Sequence, residues 1–183
     1  MPAEASLAVE PMSEDDVPAV YQIDREISPT PWPRTTYYSE LSAKSRATYI
    51  VLRLGGEVVG YGGMWRLYDE AHVTTIGVSG KHQGKGYGRV LFAALVQKAY
   101  DLGAKWVTLE VRISNHAAIR LYESFSFKVI GRRQRYYTDI GEDALVMWSD
   151  SIYTARFRDV LKDNLAKIPA RVEGLRSADG EEG

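Results

Sequence analysis

No cysteine occurs anywhere in the chain. Disulfide scaffolds, thiolate nucleophiles, iron–sulfur clusters and cysteine-ligated zinc are therefore excluded, and any chemistry must use oxygen and nitrogen groups. A charge excess of either sign is missing too: 23 Lys and Arg stand against 24 Asp and Glu. No global field draws the chain to nucleic acid or anionic lipid, so neither is expected as a partner and any anion must be held locally. Nowhere do about 18 apolar residues run together, and Met1 to Glu10 has neither the basic cluster nor the apolar stretch of a secretory leader. A soluble cytoplasmic protein without a membrane partner is the expectation. His72, His82 and His116 are not arranged as His-Glu-x-x-His, so they read as ordinary polar residues and no metal is expected.

What is present suits one packed interior. Of 183 residues, 45% are apolar and 11% aromatic, enough for a single globular core. Ser13 followed by Glu14, Asp15 and Asp16 reads as a helix start, continued by Val17, Val20, Ile23 and Ile27 at helical spacing. Three prolines between Ser28 and Arg34 break that helix before a shorter one near Thr35 to Ala43. Thr48–Leu54 and Val58–Trp65 read as a hairpin closed at Gly55-Gly56, with a third strand over Ala71–Val78. A helix with Leu91, Leu95, Ala99 and Leu102 on one stripe stops at Gly103. Trp106–Ile113 alternates, with Val107, Leu109 and Val111 on one side and Thr108, Glu110 and Arg112 on the other. Ser114 or Asn115 then caps a helix to Glu123 or Ser124, and Phe127–Tyr137 and Ala144–Trp148 close the pattern. The expected class is α/β, a mixed sheet whose central turns feed helix N-termini.

The composition shifts after residue 149. Tyr153, Phe157, Leu161, Leu165 and Ile168 form an amphipathic helical stripe within an extension over residues 150–183, ending in a small, acidic and frayed Ser177–Gly183. The stripe is a candidate surface for oligomerisation.

Between the third strand and the long helix lies Gly80-Lys81-His82-Gln83-Gly84-Lys85-Gly86-Tyr87-Gly88-Arg89. Successive backbone N–H groups and a helix N-terminus together make an anion site, and glycine at 84, 86 and 88 lets a phosphate approach the main chain. Lys81, Lys85 and Arg89 add mobile positive charge. The run is not a Walker A loop, because Gly86 follows Lys85, nor a Rossmann turn, because Leu91 stands where the third glycine belongs. A pyrophosphate cradle and a flexible strand-to-helix turn are both compatible with the loop alone.

Gln83-x-x-Gly86-x-Gly88 in this setting resembles the pyrophosphate motif of the GNAT acetyltransferases. With Thr74–Val78 before it, Leu109–Glu123 after it, then Arg135-Tyr136-Tyr137 and Gly141–Ala144, the chain resembles the RimI family of ribosomal-protein-alanine N-acetyltransferases within that superfamily. The resemblance covers about Leu7 to Trp148, which sets a domain over residues 1–149. It departs from the family at Ser126, where glycine is usual, so a left-handed helix end there becomes strained or remodelled. It implies the GNAT fold, a mixed and mostly antiparallel twisted sheet flanked by helices, and acetyl-coenzyme A as cosubstrate. The implied acceptor is the N-terminal amine of a ribosomal small-subunit protein beginning with alanine. Rivals are acetylation of lysine or a small amine, and a coenzyme-A-binding sensor without turnover.

Acetyl transfer to an amine needs a base, an acid for the departing thiolate and polarisation of the carbonyl. Glu110, off the apolar face of its strand, is the candidate base, the family placing its catalytic glutamate in this segment. A solvated glutamate or a partner for Arg112 is its alternative. Tyr122, two helical turns after Asn115 on one face, matches the family's general acid, with a core aromatic as the alternative. Asn115 is either a cofactor contact or an N-cap. The resemblance assigns the cofactor to Ile76, Gly77 and Val78, to Gln83, Gly84, Lys85, Gly86, Tyr87, Gly88 and Arg89, and to Asn115 and Tyr122. Gly77 either admits the cofactor closely or marks a bulge. The acceptor peptide is expected between Ile27–Arg34 and Arg135–Thr138, gripped by Pro31, Trp32, Tyr136 and Tyr137 beside Glu110, with Arg132, Arg133 and Arg135 as a nearby basic patch.

Overall fold

Successive residues of the strand Ala47–Leu54 enter different cores, and that alternation sets the layers. Ile50 and Leu52 join one buried cluster, Tyr49 and Val51 another. The computed structural model of the protein describes residues 5–168 and 170–177. Its strands are β1 (Leu7–Pro11), β2 (Ala47–Leu54), β3 (Glu57–Leu67), β4 (Glu70–Val78), β5 (Trp106–Arg112), β6 (Lys128–Tyr137), β7 (Glu142–Trp148) and β8 (Val172–Glu173). They form one open sheet in the order β6-β7-β5-β4-β3-β2-β1-β8. Only β4 with β5 and β1 with β8 pair in parallel, so the sheet is mixed and mostly antiparallel, as expected.

The helices are α1 (Val17–Ile27), α2 (Arg34–Ser42), α3 (Tyr87–Asp101), α4 (His116–Ser124) and α5 (Ala155–Ala166). Ser13 and Asp16 close a capping box ahead of α1. Val17, Val20 and Ile23 of α1 and Tyr37 of α2 pack with Tyr49, Val51 and Tyr61 on one face of the sheet. On the other face α3 is buried on almost every side from Val90 to Ala99, not along one stripe, because β3 lies beneath it and α5 beside it; Leu102 is outside that core at 38% exposure. Gly60 and Gly62 leave the room that Leu91 and Leu95 occupy. Phe92 packs at 4.8 Å on Tyr122 and on Phe125, and at 5.2 Å on Phe127, joining α4 to α3.

Two short elements escaped the sequence reading. Leu7–Pro11 pairs antiparallel with β2 as β1, and β8 pairs with β1 at the far edge. Most of the amphipathic stripe after residue 150 lies inside the molecule: Phe157 is 3% exposed, and Leu161, Leu165 and Ile168 pack on the main core, while Tyr153 stays exposed. Much of the face that was a candidate for oligomerisation is thus occupied by the protein's own core, with α3 beside it. Of the expected frayed end, Ala178–Gly183 lie outside the described residues.

α3 and α4 end in the same way. Gly103 (φ +81°) follows α3, with Gly103 N–H bonded to Tyr100 O and Ala104 N–H to Ala99 O; Ser126 (φ +61°) follows α4, with Ser126 N–H bonded to Glu123 O and Phe127 N–H to Tyr122 O. The left-handed turn is thus retained at Ser126 despite its Cβ, at a cost of roughly 1–2 kcal/mol. Ser126→Gly relieves that strain, offset in part by the extra freedom of an unfolded glycine. A net gain of about 1 kcal/mol, or about 2–4 °C in Tm, is expected in calorimetry. An unchanged or lower Tm would show that the turn carries no strain.

Candidate active site

A single surplus residue opens the sheet. Gly63 pairs with Thr75 and Met64 with Val73, leaving Thr74 as a bulge in β4. The Tyr49 ring lies where a side chain on Gly63 would stand, and its hydroxyl holds Thr74 Oγ1 at 3.1 Å. β4 pairs with β5 only as far as Val73 opposite Leu109, whereas β5 continues beside β7 through Arg112. Beyond the bulge the two strands diverge, and the edge of Thr74–Val78 that faces β5 is free of strand partners while its other edge stays paired with β3.

That divergence makes a cleft of about 670 Å³ lined by Ile76–Val78, the glycine loop, the start of α3, Glu110–Arg112 and α4, within the usual size range of ligand pockets. Gly84 (φ +78°) and Gly86 (φ +83°) take left-handed conformations. Gly86 is the N-cap of α3, and no side chain caps that end. The first intrahelical bond is Val90 N–H to Gly86 O, so the N–H groups of Tyr87, Gly88 and Arg89 have no intrahelical acceptor. An anionic group suits this end, and an extended amide chain suits the open edge of β4. The residues present therefore fit a diphosphate carrying an amide arm.

Not every expected ligand residue faces the cleft. Gln83 lines it but donates its Nε2–H to Val78 O at 3.1 Å, bracing the loop. Lys85 is exposed and outside the lining. Arg89 is no mobile charge: Nη1 is bonded to Asn164 Oδ1 at 2.5 Å. Asn115 Oδ1 accepts from Ala118 N–H at 3.2 Å, so it caps α4 while also lining the cleft. The need for glycine at 77 comes from its own chain, since a Cβ there would meet Ile27 Cδ1 at 2.5 Å and the Tyr61 hydroxyl at 2.8 Å. The bulge is three residues earlier.

Glu110 and Tyr122 both line the cleft. Glu110 Oε2 shares a 2.5 Å hydrogen bond with His72 Nε2. A carboxylate only accepts, so the imidazole donates. Arg133 Nε lies 3.5 Å from Glu110 Oε1. The His72 hydrogen bond, outweighing partial burial and helped by the charges of His72 and Arg133, holds the Glu110 carboxyl below the ordinary glutamate range. Tyr122 is 5% exposed with its ring in the main core; burial, with the neighbouring Tyr137, pushes its phenol up and keeps it protonated. One cleft thus presents an ionised acceptor and a protonated donor.

Arg112 is not the partner of Glu110. Its guanidinium binds Asp139 through Nη1 (3.1 Å) and Nη2 (3.0 Å), reaches Thr30 Oγ1 at 3.3 Å and lies 4.0 Å over the Tyr137 ring. It bridges the two loops expected to flank the acceptor. Tyr137 lines the cleft, its phenol raised to about 12 mainly by burial. It arrives there because Arg133 pairs with Ala144 but Tyr137 with Glu142, two surplus residues that bend β6 around Arg135 (φ +50°). Burial and the nearby Glu110 charge also raise the Tyr136 phenol, though that residue is 45% exposed and outside the lining. Trp32 is turned inward, packing 5.3 Å from the Tyr37 ring while its backbone N–H donates to Asp24. Pro31 is exposed away from the cleft lining. Neither lines the cleft in this geometry. Two of the three arginines expected to form a free basic patch are paired, Arg132 with Asp143 and Arg133 with Glu110.

Sequence reasoning passed over His72 and Arg112 as site residues. The available signal was the shared strand face of Thr108, Glu110 and His72, visible only once β4 and β5 are placed in register at His72 opposite Thr108.

Residues 17–127 match the model of the Acetyltransferase (GNAT) family. An N-alpha-acetyltransferase RimI of Mycobacterium tuberculosis is 43% identical over 125 residues, covering 66% of this chain and 77% of the relative. The [ribosomal protein bS18]-alanine N-acetyltransferase of Escherichia coli K12 is 35% identical over 134 residues, covering 72% and 89%. The crystal structure of the Escherichia coli ribosomal-protein-S18-alanine N-acetyltransferase superposes with a TM-score of 0.74 at 32% identity, covering 81% of this chain and 96% of that one.

Proposed function

Because this chain belongs to the GNAT acetyltransferase family, we propose that it transfers acetyl from acetyl-coenzyme A to the N-terminal amine of a ribosomal protein beginning with alanine. Membership makes it an acetyltransferase; the acceptor follows the relatives named for ribosomal protein bS18. A single observation carries the reading: the open edge of Thr74–Val78 and the uncapped end of α3 share one cleft with Glu110 and Tyr122.

Bound acetyl-coenzyme A supplies a thioester carbonyl and a sulfur leaving group. The N–H groups of Tyr87, Gly88 and Arg89 would hold its diphosphate, and the free edge of Ile76–Val78 would pair with its amide arm. The acceptor attacks as the neutral amine, a form accessible near neutral pH; Glu110, oriented by His72, holds that nitrogen and takes, directly or through water, the proton that becomes acidic as the nitrogen bonds to the carbonyl carbon. Tyr122 keeps a proton on Oη for the departing sulfur. Tyr137 and the loops bridged by Arg112 bound the acceptor side. The intact acid and base argue against a sensor without turnover. No helix among the described residues is long and apolar enough to cross a membrane; a cytoplasmic site of action goes with the proposed ribosomal acceptor.

The test is incubation with acetyl-coenzyme A and short peptides differing only at the first residue, each also carrying lysine, read by mass. Acetylation confined to the α-amine and strongest on alanine is expected. Modification of lysine irrespective of the first residue would transfer the assignment to a lysine or small-amine acetyltransferase.

A further inference from the structure

Asn164 is a polar side chain only 1% exposed, on the helix that follows the acetyltransferase motifs. All of its hydrogen-bonding capacity is directed at two elements of the cleft and at its own helix. Oδ1 accepts from Arg89 Nη1 at 2.5 Å and from Ser124 Oγ at 3.2 Å. Nδ2 donates to Ser124 O at 2.8 Å and to Val160 O at 3.0 Å. Arg89 is the third residue of α3, beside the N–H groups that face the anion site; Ser124 is the last residue of α4, two beyond Tyr122. Ser124 Oγ donates in turn to Leu121 O at 2.6 Å, and Leu121 Cδ2 is 3.6 Å from where a Cβ on Gly88 would stand. One buried amide therefore spans the junction where the diphosphate end of the cleft meets the helix of the acid.

A buried amide satisfied on both sides fixes the separation of the groups it joins, because shifting either helix breaks a bond that water cannot replace. The bond to Arg89 is charge-assisted, the strongest kind available here. It holds the first turn of α3 in place, so that the three free N–H groups converge without reorganisation when the anion arrives.

We propose that Asn164 is a positioning residue for acetyl-coenzyme A, acting through Arg89 on the diphosphate end of the cleft. The proposal rests on the function above. Acetyl-coenzyme A titrated into the full chain in a calorimeter separates the two: absence of uptake by the unaltered protein removes the functional reading itself. Given uptake, Asn164→Leu is expected to raise Kd and KM for acetyl-coenzyme A about tenfold with kcat at saturation within about twofold. Asn164→Asp keeps an acceptor for Arg89 but loses both amide donors. It should therefore lose thermal stability much as the leucine variant does, yet recover most of the affinity. Stability and KM moving together across both variants would reduce Asn164 to a structural residue and overturn the proposal, as would an unchanged KM in a folded Asn164→Leu. If that variant does not fold, Arg89→Met reads the link from the other end. It should raise KM by a similar factor and abolish the effect on KM of a second change, Asn164→Ala, which in the otherwise unaltered protein should raise KM about as much as the leucine variant would; fully additive effects would overturn the proposal.

Discussion

Glu110→Gln is expected to lower kcat by about two to four orders of magnitude, the usual contribution of a positioned acid–base group, while acetyl-coenzyme A affinity stays within about twofold. The substitution is nearly isosteric, and the amide oxygen can still accept from His72 Nε2. What it removes is the negative charge that holds the acceptor nitrogen and the atom that receives its proton. Steady-state kinetics with a saturating alanine peptide, beside calorimetry of cofactor binding, checks both parts. A kcat within tenfold of the unaltered enzyme would remove Glu110 from the chemistry. The pH dependence has a definite sign. The folded-state pKa of Glu110 is depressed, so its contribution to stability is present above the unfolded value of about 4.3 and is lost as pH falls through the lower folded value. The carboxylate is ionised throughout the neutral range, and any acidic limb of the rate profile caused by Glu110 lies below the ordinary glutamate range.

Tyr122→Phe is expected to cost about 10²-fold or more in kcat, again with cofactor affinity little changed. The ring remains to pack on Phe92 at 4.8 Å, so Tm should stay within a few degrees and the loss is assignable to the hydroxyl. Because burial raises this phenol above its ordinary value, it remains a donor through alkaline pH; its own ionisation should produce no fall in rate below about pH 10. The deficit of the phenylalanine variant should shrink with an acetyl thioester whose thiol is more acidic, since that sulfur departs without a proton. An equal deficit for both thioesters would return Tyr122 to the role of a core aromatic.

Much of this arrangement was legible in residue order. The alternation of Trp106–Ile113 identified the strand and set Glu110 opposite its apolar face, and the glycine run between a strand and a long helix marked a candidate anion site. Gly103 marked the end of α3, and the family resemblance pointed to Ser126 as a helix end where a side chain has to adopt a glycine conformation. These features are local: spacing of two or of three to four, and turns that need positive φ. The features that were missed depend on residues distant in the chain. His72 and Glu110 are 38 positions apart and Arg89 and Asn164 are 75 apart; neither meeting has a periodic signature. Trp32, an aromatic in a proline-rich loop, looked like a peptide contact, yet the Asp24 carboxylate draws its backbone N–H inward and the ring follows onto Tyr37. The tail stripe was visible, but not what covers it, because an apolar stripe says only that something must.

The bulge at Thr74 has a wider implication. Were β4 one residue shorter there, its far half would keep step with β3 as its near half does, and a strand that ran on straight beside β5 would fill the space between them with a ladder of amide bonds in place of a ligand. The capacity to receive a thioester thus originates in an arithmetic mismatch between neighbouring strands rather than in any reactive group. Side-chain chemistry was then free to be installed on walls that the backbone had already pushed apart.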